Sequence, residues 1–218
     1  MCIRDRYFSS VDGDNNLSGM NILLVGASGK LGSAVYRSLT QRGHTVLTAS
    51  RGSGDVRVDL TDPASIADLY AKVGKLDAVA SAAGVTPFKT IQELTADDYT
   101  AAYQGKVLAQ IELVRQGIHH IAADGSFTLI TGVLARSPIV TGAAASMAGG
   151  ALESFVRAAA IEIAPQRINA ISPTVFTEAL EVYGDYFPGF PSVGLAEVGQ
   201  AYVRSIEGKQ TGQIYELD

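Results

Sequence analysis

Asn21-Ile22-Leu23-Leu24-Val25-Gly26-Ala27-Ser28-Gly29-Lys30-Leu31-Gly32 is the stretch on which the fold turns. Ile22 to Val25 form a short apolar run of the kind an interior parallel strand carries, because such a strand is covered on both faces. Gly26, Gly29 and Gly32 follow at even spacing, and Leu31, Val35 and Leu39 then fall on one helical face. A strand that turns sharply into a helix aims unpaired backbone N–H groups and the positive helix end at one spot, which suits a pyrophosphate. Glycine permits the tight turn and lets backbone approach the ligand, and Gly32 allows close helix–strand packing. The strand–turn–helix context makes this a nucleotide- or dinucleotide-binding loop, with a purely structural turn as the alternative.

The bulk properties narrow the class. With 218 residues the chain can bury a full core as one domain. A formal charge of −5 and the lack of any basic run argue against a nucleic-acid surface. No apolar stretch reaches the length of a membrane span, so no membrane partner is expected. Cys2 is the only cysteine, which excludes disulfide scaffolds and cysteine metal clusters. Of the three histidines His44, His119 and His120, none has a spaced carboxylate partner, and the His119–His120 pair reads as a solvated helix end. Residues 1 to 19 are polar and charged without sustained period and have no signal-peptide core. They read as a non-native or disordered extension, with Met20 as the natural start and the cytoplasm as the expected location.

Gly43 stops the first helix, and His44 to Ala49 reads as a second strand ending at Ser50-Arg51. Val56 and Val58 mark a third strand that closes on Asp59-Leu60. Thr61 or Asp62 caps a helix with Pro63 in its first turn and Ile66, Leu69, Tyr70 and Val73 on its apolar face. Asp77 to Ala80 is a fourth strand, followed by Ser81-Ala82-Ala83-Gly84. One long helix is predicted from Ala96 to His120, with Tyr103, Val107, Ile111, Val114 and Ile118 as its buried stripe. Ser126 to Thr131 is a fifth strand, Ala145 to Ala164 a helix, and Arg167 to Ile171 a sixth strand before Ser172-Pro173-Thr174. Tyr183 to Val193 is aromatic and holds Pro188 and Pro191, so it reads as a loop or lid. Leu195 to Ile206 and Gln213 to Leu217 are the last helix and strand. Alternating strands and helices predict a doubly wound parallel sheet, whose ligands bind at the carboxyl ends of the strands. Gly26, Arg51, Asp59, Gly84, Gly132 and Pro173 all fall at such ends.

At these residues the chain resembles the short-chain dehydrogenase/reductase family over Met20 to Asp218. The resemblance lies in the Gly26/Gly29/Gly32 loop, Asp59-Leu60, Ser81 to Gly84, the run Arg167 to Pro173, and Gly212-Gln213. It implies a single Rossmann-like α/β domain with about seven parallel strands and a nicotinamide cofactor across their ends. The implied cofactor contacts are Gly26, Ser28, Gly29, Lys30, Leu31 and Gly32 in the loop, with Asp59 and Leu60 at the adenine. Ala82, Ala83 and Gly84 would line the adenosine side, and Thr131 and Pro173 to Val175 would lie near the nicotinamide. The glycine spacing departs from the family's usual three-then-one pattern. Ser50 and Arg51 end the second strand where an acidic residue would select NAD(H), and Arg51 offers a donor fork suited to a 2′-phosphate. With Lys30 nearby, NADP(H) is expected over NAD(H). The alternative is that Arg51 is a solvated loop residue.

The same resemblance puts Ala145 in the place of the family's catalytic tyrosine, Gly149 in that of its lysine, Gly132 in that of its serine and Gln104 in that of its asparagine. No tyrosine lies between Tyr103 and Tyr183, and no lysine between Lys106 and Lys209. Hydride transfer without a proton donor leaves an alkoxide unneutralised. The chain thus resembles a divergent subgroup without the usual active-site residues, and whether it is an enzyme stays open. Thr131, Thr141, Ser146, Tyr183 and Tyr186 are the candidate replacements. Three functions follow: an oxidoreductase of unknown small-molecule substrate with non-standard proton delivery, a non-catalytic NADP(H)-binding sensor or partner subunit, or a structural relic. The resemblance also implies a homodimer or homotetramer through the two long helices.

Overall fold

The computed structural model describes residues 19–218. The expected extension, apart from Gly19, and Cys2 lie outside the described residues. Seven strands form one parallel sheet: β1 (Asn21–Val25), β2 (Thr45–Ser50), β3 (Val56–Arg57), β4 (Leu76–Ser81), β5 (Ile121–Ile130), β6 (Arg167–Pro173) and β7 (Ile214–Leu217). Their order across the sheet is β3-β2-β1-β4-β5-β6-β7, so the direction in which successive strands are added reverses between β1 and β4. The helices are α1 (Lys30–Gln41), α2 (Pro63–Val73), α3 (Ala96–Ala102), α4 (Ala109–Gly117), α5 (Ala143–Glu162), the short α6 (Leu180–Tyr183) and α7 (Leu195–Glu207). This is the doubly wound Rossmann-like fold expected.

Successive side chains of a strand point to opposite faces, and β1 uses both. Leu23 and Val25 join Leu69 and Tyr70 of α2, Leu113 of α4 and Leu152 and Val156 of α5 in one apolar cluster. Ile22 and Leu24 join Val35 and Leu39 of α1 and Val198, Tyr202 and Ile206 of α7 in the other. That is why the β1 run is apolar without alternation. Local chemistry sets the helix ends as expected: Asp62 accepts from the Ala64 N–H at 2.9 Å to cap α2, and Gly43 follows α1 with φ +84°.

Four expectations are corrected. The long helix is not continuous: between α3 and α4, Tyr103–Leu108 winds as a π-helix. A π turn takes extra residues, so Tyr103 swings out to 46% exposure while Val107 and Val114 stay buried. The β5 strand starts at Ile121, five residues early, because Leu76 pairs with Ile121 across a shift in register. The Tyr183–Val193 segment, expected as a loop or lid, begins on the last residue of α6 and holds a 3₁₀ turn at Gly184–Tyr186, with a further 3₁₀ turn, Thr177–Ala179, before α6. A parallel bridge joins its last residue, Val193, to Phe176, ahead of these turns. His120 also differs from a solvated end, since its ring stacks on Tyr70 at 4.9 Å. His44 is buried and bonds Glu207 Oε1 at 2.9 Å.

The β1–α1 turn is the tightest approach. A Cβ on Gly32 would overlap the Gly26 carbonyl, whereas one on Gly29 would meet the same oxygen at an ordinary 3.6 Å. Gly32→Ala is therefore expected to lower stability by about 1–3 kcal/mol in denaturant unfolding. Gly29→Ala is expected to stay within about 0.5 kcal/mol. Equal losses from the two would contradict the packing.

Candidate functional site

All strands run parallel, so their carboxyl ends share one edge, and the β1/β4 reversal opens a crevice there. Gly26 follows β1 with φ +89° and donates to the Ala49 carbonyl of β2 at 2.9 Å. A Cβ on Gly26 would stand 2.9 Å from the Ala82 carbonyl, so the loop lies against the chain leaving β4. Gly29 is the N-cap of α1 and no side chain caps that end. The first α1 amides are thus left for an incoming group. Ser28, Gly29 and Lys30 are exposed, while Leu31 and Gly32 are buried beneath them.

At the end of β2, Ser50 Oγ is engaged locally. It donates to the Ser53 carbonyl at 2.5 Å and accepts the Ser53 N–H at 3.0 Å, which closes the turn and leaves Arg51 exposed. Asp59 Oδ1 accepts from the Thr61 hydroxyl at 2.7 Å and its N–H at 2.9 Å. These bonds hold its carboxyl below the usual carboxylate range. Leu60 packs partly buried against the α2-side core. Ala82, Ala83 and Gly84 leave β4, with the Ala82 N–H held by the Val25 carbonyl at 2.8 Å. Thr131, Pro173 and Val175 are buried at the ends of β5 and β6.

The other half of the edge holds a group that motif reading passed over. Lys106, in the π-helical segment, lays its stem over Gly84, where a Cβ would be 3.0 Å from Lys106 Cγ. Its Nζ donates to the Thr131 carbonyl at 2.9 Å. Burial pushes the ammonium down from 10.5 to about 8. Gln110 fixes the segment: it accepts the Ile130 N–H at 2.9 Å and donates to the Ile130 carbonyl at 3.0 Å and the Lys106 carbonyl at 3.2 Å. Gln104 is exposed, so Lys106 rather than Gln104 is the polar side chain that this turn sends to the strand ends.

Beneath Thr131 lies a buried polar chain. Glu153 Oε1 accepts from the Thr131 hydroxyl and the Ser172 hydroxyl, each at 3.2 Å, and Arg136 donates to Ser172 Oγ at 2.7 Å. Arg136 reaches on to Asp218 at 3.0 Å. Low dielectric strengthens such a chain when every member is paired. Glu153 was visible in the sequence as one carboxylate on a stripe with Leu152 and Val156; Lys106 was visible as a lysine next to buried Val107.

On α5, Ala145 is buried with Val133 and Leu134 under the rings of Phe187 and Phe190, which meet edge to face at 5.5 Å. Tyr183 and Tyr186 instead point outward, each 53% exposed. A Cβ on Gly149 would meet Ala135 Cβ at 3.1 Å, and Gly132 has φ +149°. Thr141 and Ser146 hydroxyls are buried without partners among the described residues. Both line a cavity of ≈ 390 Å³ with Ile91 and Ile139.

Comparison with known proteins now bears on this edge. The profile described as enoyl-(acyl carrier protein) reductase matches residues 17–192. The chain belongs to the short-chain dehydrogenase/reductase family. Among relatives, it is 27% identical over 199 residues to a versicolorin reductase of Emericella nidulans, covering 79% of this chain and 75% of that one. A solved structure, the protein lin1944 from Listeria innocua, superposes with a TM-score of 0.89 at 44% identity, covering 92% of this chain and 100% of that one. A small-chain dehydrogenase in complex with NADPH superposes at 0.82 with 22% identity over 92% of this chain and 97% of that one, which shows the shared fold. The family membership, the parallel sheet and the strand-end crevice agree with the expectations from sequence. No described helix is long and apolar enough to cross a membrane.

Keeping Lys106 charged costs the folded state free energy at neutral pH, since its folded pKa of about 8 lies below the ordinary 10.5. That cost is full below pH 8 and fades as pH rises to 10.5, where the unfolded lysine is neutral too. Lys106→Met is expected to raise stability by about 1–2 kcal/mol at pH 7, after discounting for partial exposure and the lost hydrogen bond. The gain should shrink between pH 8 and 10.5. Chemical unfolding of both proteins across this range checks it, and a gain that grows with pH contradicts it.

Proposed function

We propose that this chain binds NADP(H) across the carboxyl edge of its sheet and serves as an oxidoreductase for a small carbonyl or alcohol, with proton delivery unlike the family's usual one. The observation that carries the reading is the Gly26–Gly32 cradle, packed where a Cβ would clash and left uncapped by any side chain. That geometry fits a diphosphate at Gly26, Ser28, Gly29, Lys30, Leu31 and Gly32. Arg51 and Lys30 are the exposed cations that would meet a 2′-phosphate, with Ser50 shaping the Arg51 turn. Asp59 and Leu60 would bound the adenine, Ala82 to Gly84 the adenosine, and Thr131, Pro173 and Val175 the nicotinamide end. The NADPH carried by the structurally similar dehydrogenase supports the choice of cofactor.

A bound nicotinamide supplies or accepts a hydride. The chain's own residues must bind the substrate and move the proton. The family's tyrosine and lysine places read as Ala145 and Gly149, and no side chain at either can hold a proton. The cavity bordered by Ile91, Ile139, Thr141 and Ser146 is the place this reading gives the substrate.

A second reading, a non-catalytic NADP(H)-binding sensor or partner subunit, is favoured by one observation. Phe187 and Phe190 already pack against Ala145, so that corner is filled by apolar side chains. Under either reading we propose a homodimer or homotetramer through α4 and α5, supported by exposed Met147 and Ile161 on α5.

Mixing the protein with NADPH and following nicotinamide fluorescence, then screening ketones and aldehydes for NADPH oxidation, separates the readings. Turnover of any carbonyl supports the first, binding without turnover the second, and no binding refutes both. Arg51→Asp is expected to weaken NADPH at least about ten-fold relative to NADH, the scale of one charge-assisted contact. An unchanged preference would remove Arg51 from the cofactor site.

A further inference from the structure

We infer that Lys106 is the proton donor of this cleft, placed at the carboxyl ends of β4 and β5 by the π-helical turn rather than by α5. The inference rests on the NADP(H) reading above. Reach comes first: the stem crosses Gly84, the position beyond β4 that a Cβ would obstruct at 3.0 Å, and Nζ stops 2.9 Å from the Thr131 carbonyl at the end of β5. Gly84 lies on the expected adenosine side of the crevice and Thr131 at its expected nicotinamide end, so the stem runs from the first toward the second and the ammonium stands at the nicotinamide end. Among the described residues the Thr131 carbonyl is the one hydrogen-bond acceptor that Nζ has, so two of its three N–H donors are left for an incoming oxygen.

The segment is built to hold that placement. Gln110 is fully buried, and its amide ties the Lys106 carbonyl to both backbone groups of Ile130. A continuous α-helix would rotate residue 106 away from where the π turn sets it. π turns of this kind recur at functional sites, because they aim one side chain out of the regular register.

The electrostatic surroundings suit a group that gives up a proton. Across the π turn, Glu153 of α5 faces it through Thr131, which accepts from Lys106 with its carbonyl and donates to Glu153 with its hydroxyl. Asp98 of α3 is paired with Lys89, and Glu112 of α4 with Arg115. The ends of β4 and β5, Val79 to Ser81 and Leu129 to Thr131, carry no charged side chain. Desolvation therefore dominates, and an ammonium near pH 8 is still protonated at neutral pH yet a far stronger acid than an exposed lysine.

In carbonyl reduction the nicotinamide, when bound, supplies the hydride to the carbonyl carbon and is left oxidised. At Lys106 the Nζ–H bond breaks, its electron pair stays on the amine, and the carbonyl oxygen takes the proton. The neutral amine then takes a proton from water, so one carbonyl, one reduced cofactor and one proton give one alcohol and one oxidised cofactor.

Competitive labelling with trace acetic anhydride across pH, read lysine by lysine by mass spectrometry with and without NADPH, tests this without needing the substrate. Lys106 is expected to gain reactivity with a midpoint near 8, and exposed Lys72 and Lys75 serve as references for cofactor protection. NADPH at ten times its Kd should slow Lys106 labelling about ten-fold and leave the other two unchanged. A midpoint near 10.5 overturns the assignment. So does NADPH binding, seen by fluorescence, that leaves Lys106 unprotected; the cofactor reading then stands alone. Absence of NADPH binding brings down the cofactor reading and the assignment together. On any carbonyl the protein reduces, Lys106→Met should lower kcat about 100-fold and abolish the fall in kcat above pH 8. Full kcat in that variant overturns the proposal.

Discussion

The contact between Gly32 and the Gly26 carbonyl sets how closely α1 can lie against the sheet, and the site follows from that distance. Because α1 starts directly at the end of central strand β1, its uncapped amides stand over the β1/β4 reversal rather than beside it. A side chain at residue 32 would push the helix outward and dissolve the cradle. The same economy of space recurs where α1 meets α7, since a Cβ on Gly199 would overlap Ser38 Oγ. Close packing of small residues lets two layers of helices cover a sheet whose central strand is apolar on both faces.

On that frame the two halves of the edge have different characters. The half around β1 and β2 is backbone and exposed cation: glycines, helix amides, Lys30 and Arg51. The half around β5 and β6 is a buried polar network running from Lys106 through Thr131, Glu153 and Ser172 to Arg136. Helix α5 brings Ala145 and Gly149 to this region, Lys106 reaches the strand ends from the π turn, and Glu153 lies deeper in α5.

What was legible in the sequence was what local physics decides. The apolar run of β1, the glycine turn, the Asp62 cap with Pro63 behind it, and the stop at Gly43 each follow from residues a few positions apart. What stayed hidden depends on partners far along the chain. The first five residues of β5 are Ile121-Ala-Ala-Asp-Gly125, which carry no strand pattern; their pairing is imposed by Leu76. Tyr103 and Val107 keep an ordinary helical spacing in sequence, while the tie that accompanies the extra winding, from Gln110 to Ile130, joins residues twenty apart. For that reason the helical stripe extends in sequence to Tyr103, which the structure leaves exposed, and periodicity gives no sign that Lys106 reaches the strand ends. The Tyr183–Val193 segment was read as a loop because its prolines mask short helical turns, and its phenylalanines rather than its tyrosines turn inward.

The cradle is expected to hold a phosphorylated nicotinamide cofactor. Isothermal titration of the protein with NADPH and, separately, with NADH tests that most directly. The account predicts saturable one-to-one heat with NADPH and binding at least about ten-fold weaker with NADH, the worth of about 1.4 kcal/mol at the 2′-phosphate. No saturable heat with either cofactor would contradict it.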